Sequence, residues 1–121
     1  MIIIKTIVKI TDTSGGRLTE CIKILRSKFY NGKLTDYIIV AVKTAFTNRK
    51  VKRHDIYKGI VVRIKKKTNR FSGIKIKFGD NAIVVFNKRN EIFASRVKGP
   101  VCTESRKEKL TKISNMSGVI L

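Results

Sequence analysis

Along most of this chain, hydrophobic and polar residues alternate with period two, and β-branched residues fill many of the apolar positions. That pattern predicts short strands. "IVKITD" (residues 7–12) alternates and ends at "TSGG", a glycine turn. "RLTECIKIL" (17–25) follows as a strand, with Leu18, Glu20, Ile22 and Ile24 on one side and Glu20 interrupting it. "RSKFYNGKLTD" (26–36) is a loop with an Asn31-Gly32 turn signal. "YIIVAVKTA" (37–45) is a nearly continuous apolar run, the pattern of a strand buried on both faces. "FTNRKVKRHD" (46–55) is a basic connection. "IYKGIVVRIK" (56–65) is a strand that leads into a basic hairpin arm turning at "RFSG" (70–73). In "IKIKF" (74–78), Ile74, Ile76 and Phe78 face one way and Lys75 and Lys77 the other. "NAIVVF" (81–86) is a short buried strand, and "NKRNE" (87–91) is its turn.

Beyond Ile92 the pattern changes. "KGP" (98–100) breaks regular structure, and the polar stretch 103–114 carries apolar residues at Leu110 and Ile113. Thr103 can cap a short helix, and a second turn places Leu110 and Ile113 against the body. Strands with glycine turns, closed by a small helical end, predict a mainly β fold, a compact barrel. The 121 residues make one domain, with barrel and arm over about 1–97 and a C-terminal loop and short helices over about 98–121. No repeat, linker or low-complexity segment is visible.

Charge changes the picture most. The chain has 28 Lys+Arg against 8 Asp+Glu, a formal net charge of +20. No acid stands between Asp55 and Asp80, a span holding Arg63, Lys65, Lys66, Lys67, Arg70, Lys75 and Lys77. Clustered like charge destabilises a compact state unless a polyanion neutralises it. Arg63 and Arg70 could fork onto phosphate oxygens, while the lysines act as mobile point charges. An extended arm would carry them away from the barrel into a crevice between RNA helices. A membrane surface is the rival polyanion, but no amphipathic basic helix or lipidation signal is present. Charge does not separate RNA from DNA. Phe29, Tyr30, Phe46 and Phe71 could stack on bases, and each fits core or loop packing as well.

Catalytic chemistry has little to work with. His54 is the single histidine, set beside Lys52 and Arg53, and it fits a surface turn. No nucleophile elbow, zinc-protease or phosphate-loop motif occurs, and no carboxylates form an evident acid/base pair. Cys21 and Cys102 stand far apart, outside any metal-ligand spacing, and read as reduced core residues. No cofactor or metal is expected. "MIIIKTIVKI" is too short and too charged for a signal peptide, and no run of about 18 apolar residues could span a membrane.

Residues beyond charge resemble the universal large-subunit ribosomal protein fourteen family of bacterial and organellar type. The signature runs Gly59, Ile60-Val61-Val62, a spacer, Ser72-Gly73, Phe78, Asn81 and Val84-Val85. "DTSGG", "ECIKIL", "RKVKRHD", "SRVKGPVCTESR" and "EKLTKI" resemble the family's flanking elements in order and spacing. The resemblance implies a small closed five-stranded β-barrel with a projecting basic hairpin arm and a short C-terminal helical segment. It implies a structural, non-catalytic protein that binds large-subunit rRNA, sits beside neighbouring large-subunit ribosomal proteins and bridges to small-subunit rRNA. On that basis the expected RNA-binding residues are Lys43, Arg49, Lys50, Lys52, Arg53, Arg63, Lys65, Lys66, Lys67, Arg70, Lys75 and Lys77. Ser95, Arg96, Lys98, Arg106, Lys109 and Lys112 would form the intersubunit face, which a ribosome-silencing factor could also occupy. The chain departs from the family where His54 replaces a usual glycine and Thr13 a usual asparagine. A free-standing β-barrel RNA chaperone is the alternative, but such domains carry a dense aromatic strand face, and this chain has no Trp. Heavy use of Ile, Lys and Asn, with one Pro and no leader segment, suggests an organelle-encoded protein of the mitochondrial matrix. A plastid or a bacterial cytoplasm is the alternative.

Overall fold

A computed structural model describes residues 1–25, 31–107 and 110–121. The strands are β1 (Ile7–Ile10), β2 (Gly16–Ile24), β3 (Tyr37–Ala45), β4 (Ile56–Arg63), β5 (Thr68–Asn69), β6 (Lys75–Ile76), β7 (Ala82–Phe86), β8 (Val97–Val101) and β9 (Ser117–Ile120). Two short helices, α1 (Glu104–Lys107) and α2 (Thr111–Met116), precede β9. Strands β1-β2-β3-β4-β7 form a closed barrel, antiparallel throughout except where β7 meets β1 in parallel. Strands β5 and β6 form the separate arm hairpin, and β8 pairs with β9 in parallel across the helical crossover.

The barrel interior is filled by alternate residues, among them Val8, Ile10, Cys21, Ile38, Val40, Val42, Val61, Ile83 and Val85. A second core lies outside the barrel wall. Ile60 and Val62 of β4 and Val84 and Phe86 of β7 point outward, where Val97, Val101 and Ile113 cover them. This explains the unbroken apolar runs "GIVV" and "AIVVF": both faces of these strands are buried. Each such aliphatic side chain contributes about 1.5–3 kcal/mol of burial.

Three expectations from the pattern need correction. The apolar run of β3 is not buried on both faces: Ile38, Val40 and Val42 are buried, whereas Tyr37, Ile39 and Ala41 are half-buried. In β2 the expected face is inverted. Leu18 and Ile22 are exposed, and Thr19, Cys21 and Ile24 point inward, because a register shift between Cys21 and Lys23 moves Ile24 onto the core side. Finally, residues 98–100 do not end regular structure. They lie within β8, where Gly99 at φ +77° accommodates a register irregularity between Val97 and Pro100.

One local device recurs before three barrel strands. Lys5, Thr35 and His54 have φ of 69°, 68° and 67°, each two residues ahead of β1, β3 or β4. The residue after each closes a tight turn: Thr6, Asp36 and Asp55 donate their N–H to the carbonyls of Ile3, Lys33 and Lys52. Each positive-φ residue donates its own N–H to a carbonyl of the neighbouring strand, that of Cys21, Val61 and Val42 at 2.7, 2.8 and 2.9 Å. Those three partners donate back to Thr6, Asp36 and Asp55. His54 therefore holds the left-handed conformation for which a glycine would be cheapest. Gly32, by contrast, has no positive φ. It exchanges two backbone hydrogen bonds with Ile2, and a Cβ there would sit 3.3 Å from the Ile2 Cβ.

Candidate nucleic-acid interface

The expected cations fall into two exposed groups beyond opposite ends of β4. Arg49, Lys50, Lys52 and Arg53 precede the strand; Lys65, Lys66 and Lys67 follow it. Eight strand residues separate the groups by roughly 26 Å at about 3.3 Å per residue.

The second group leads into the arm. Its base is held where the Lys65 N–H donates to Asn81 Oδ1 at 2.8 Å and the Phe78 N–H to the Ile64 carbonyl at 3.2 Å, with Phe78 buried beneath. At the tip, Gly73 at φ +81° lets the strand return. The tip residue Phe71 is fully exposed, and all five arm lysines, including Lys75 and Lys77, are exposed.

The two arm arginines behave differently from the expectation. Arg63 is 9% exposed and turns inward. Its Nε lies 3.0 Å from Asp80 Oδ1, Nη2 donates to Thr11 Oγ1 at 2.9 Å, and Nη1 donates to the Lys98 carbonyl at 3.2 Å. A Cβ on Gly99 would come within 2.3 Å of Nη1, so glycine leaves room for this guanidinium. Arg70 forms a bidentate pair with Glu104, Nε to Oε1 at 2.8 Å and Nη2 to Oε2 at 3.1 Å, and also donates to the Leu121 carbonyl at 2.7 Å. Burial pushes the Glu104 carboxyl up, but the Arg70 hydrogen bonds and charge outweigh it and leave its pKa lowered. The arm is thus strapped to the C-terminal segment, and both guanidinium groups are engaged by protein partners, with Arg63 Nε buried beside Asp80 at ion-pair distance but without a hydrogen bond. Sequence spacing could not reveal partners lying 17 and 34 residues away.

The first group adjoins the residues expected at the intersubunit face instead of standing apart. The β1–β2 turn holds them together. Asp12 is buried and accepts hydrogen bonds from the Ser14 N–H at 3.0 Å, the Ser14 hydroxyl, and the Val85 N–H at 3.1 Å. Burial pushes its carboxyl pKa up against those bonds. The Thr13 N–H donates to the Arg96 carbonyl at 3.2 Å, so Thr13 ties the turn to the face by backbone while Asp12 supplies the side-chain hydrogen bonds. The Lys98 N–H donates to the Thr11 carbonyl at 2.7 Å. Gly15, at φ +106°, lets the Arg49 side chain cross the turn, since a Cβ there would overlap the Arg49 Cβ at 2.1 Å. Lys50 Nζ donates to the Phe93 carbonyl at 3.2 Å. Arg49 and Lys98 consequently line one groove, together with Lys9 and Arg17, two cations that sequence reasoning missed. Their signal was weak: each is a single cation on a strand, gathered only by the fold.

Of the remaining residues, Lys43 is exposed and paired with Glu20 at 3.3 Å. Ser95, Arg96, Arg106 and Lys112 are exposed, and Lys109 lies outside the described residues, as do Phe29 and Tyr30. Cys21 and Cys102 are free and buried, and burial raises the pKa of both thiols, that of Cys102 to about 11 with help from the nearby Glu104 charge.

The β-barrel, its basic arm and its glycine-shaped turns coincide with a match along all of residues 1–121 to the family described as Ribosomal protein L14p/L23e. The chain belongs to that family and is a protein of the large ribosomal subunit.

Proposed function

We propose that this chain is a structural constituent that binds large-subunit rRNA by neutralising backbone phosphates at two stations, with no catalytic step. The observation that carries this is the acid-free run of exposed lysines, Lys65, Lys66, Lys67, Lys75 and Lys77, beside acids committed elsewhere: Asp80 to Arg63, and Asp55 to the Tyr57 hydroxyl at 3.1 Å. The second station, Arg49, Lys50, Lys52 and Arg53, adjoins Ser95, Arg96 and Lys98. This continuity supports a bridge from that face to small-subunit rRNA, and a ribosome-silencing factor that docks there would block subunit joining. The composition supports an organelle-encoded, mitochondrial setting.

The test is sedimentation of subunits after a high-salt wash, with wild type and with Lys65→Ala/Lys66→Ala/Lys67→Ala. Wild type should stay with the large subunit and the triple variant should wash off at lower salt. For duplex-like RNA the slope of log K against log salt should fall by about 2.7, near 0.9 per lost phosphate contact on the B-DNA scale. An unchanged slope and unchanged sedimentation would remove the arm from the interface.

A further inference from the structure

The groove shared by Arg49 and Lys98 has a feature that phosphate neutralisation does not use. It is an open groove of about 710 Å³ between the β1–β2 turn, the end of β3 and β8. Phe46 stands at its wall, 56% exposed. The ring is not a loose surface side chain. The Phe46 N–H donates to the Gly15 carbonyl at 2.8 Å, and the Arg17 guanidinium lies over the ring with Cζ 5.2 Å from the centroid. Four cations, Lys9, Arg17, Arg49 and Lys98, line the same groove. Among the described residues, Arg17, Arg49 and Lys98 have no carboxylate partner within ion-pair distance, and Lys9 reaches Asp80 only at 3.9 Å. The one lining acid, Asp12, is buried with its oxygens occupied by Ser14 and Val85. A second groove of about 620 Å³ continues past Arg49 and Lys50 toward Ser95.

An aromatic ring backed by a guanidinium, in a groove with cations that lack a carboxylate partner, has the parts of a single-strand nucleotide site: a stacking platform beside a phosphate track. We propose that this groove receives one unpaired RNA nucleotide, its base stacked on the Phe46–Arg17 pair and its flanking phosphates on Arg49 and Lys98. The proposal rests on the RNA-binding reading above and narrows it to a bulged or looped base at this station. A regular duplex keeps its bases stacked inside and has none to offer.

The test uses the full chain and two labelled, blunt-ended RNA duplexes of two annealed strands, one fully paired and one with a single 2-aminopurine bulge, read by anisotropy and by 2-aminopurine fluorescence. Wild type should prefer the bulged duplex by roughly five- to 150-fold, the range of one base–aromatic stack, with quenched fluorescence. Phe46→Ala should erase the preference and the quenching while leaving fully paired binding and its salt slope unchanged. Phe46→Trp should keep both. Because Phe46 is exposed, an unchanged melting temperature confirms that each variant is folded. Three results would overturn the proposal. One is equal wild-type affinity for the two duplexes, which leaves the RNA-binding reading standing. Another is Phe46→Ala binding both RNAs like wild type while losing a neighbouring ribosomal protein, which assigns Phe46 to a protein contact. The third is no wild-type binding to either duplex, which removes the RNA-binding reading as well.

Discussion

Replacing Arg63 with alanine separates a structural arginine from a phosphate-binding one. The side chain is 11% exposed and makes an ion pair with Asp80, whose side chain is 30% exposed. Removing one partner of a buried pair costs about 3–5 kcal/mol when the survivor stays buried and charged. Here Asp80 can reach water, so its own penalty is small. What remains is the loss of charge-assisted hydrogen bonds to the Lys98 carbonyl and Thr11 Oγ1, each worth about 1.5–3 kcal/mol. A total of about 3–6 kcal/mol follows. For 121 residues the unfolding entropy is roughly 0.25 kcal/mol/K, so the melting temperature should fall by about 12–24 °C. The assay is circular-dichroism melting, alongside RNA binding over a salt series below the melting transition. The expected result is a large thermal loss with no change in salt slope. A melting temperature within about 2 °C of wild type, with the slope reduced by near one unit, would refute the assignment and return Arg63 to the phosphate interface. Gly99→Ala attacks the same site from the other side, through the 2.3 Å overlap with Nη1 and the positive φ. In the Arg63→Ala background only the backbone strain persists, so the two losses should be less than additive.

Other outcomes follow from the same coordinates. His54→Gly should raise stability by about 0.5–1 kcal/mol, since a left-handed L-residue costs roughly 1–2 kcal/mol and glycine's extra unfolded-state entropy returns part of it; a lower melting temperature would contradict the strain. The Arg70–Glu104 strap should be pH-dependent. Because the Glu104 pKa is lowered on folding, its contribution is present in full above the unfolded-state value and is lost as pH falls through the folded one. Hydrogen exchange at the arm tip should therefore accelerate on acidification, and Glu104→Gln should flatten that dependence; a wild type with pH-independent protection, after correction for intrinsic exchange, would argue against the strap. Cys102, buried and with its pKa at about 11, should resist iodoacetamide at pH 8 in the native protein and react at the rate of unfolding; prompt labelling would mean that the barrel core to which it belongs opens locally.

Much of the barrel could be read from the chain, and the failures have physical causes. "AIVVF" read as a buried strand because no polar residue interrupts it, and all five residues are buried. The face of β2 could not be read, because a bulge inverts the phase that alternation assumes. The parallel pairing of β8 with β9 was hidden, since Gly99 and Pro100 are strand-breaking residues that here occupy an irregular edge. At the site, the lysines were legible because excess charge survives averaging over conformations. Arg63 and Arg70 were not, because their commitment depends on Asp80 and Glu104 arriving from other elements. The repeated turns at Lys5, Thr35 and His54 escaped notice for a similar reason: three different side chains share one backbone conformation.

Closure of the barrel by β7 against β1 orders the events of synthesis. β1 and β4 remain open edges until residues 82–86 have left the exit tunnel, so the first four strands cannot complete the interior on their own. The outer core forms later still, because β8 and α2 dock on a surface that β4 and β7 create jointly. Pairings this distant fold slowly and leave unpaired strands exposed meanwhile. During that interval the nascent chain already carries its arm lysines. The high positive charge that strains the finished fold keeps its unfinished copies from associating edge to edge.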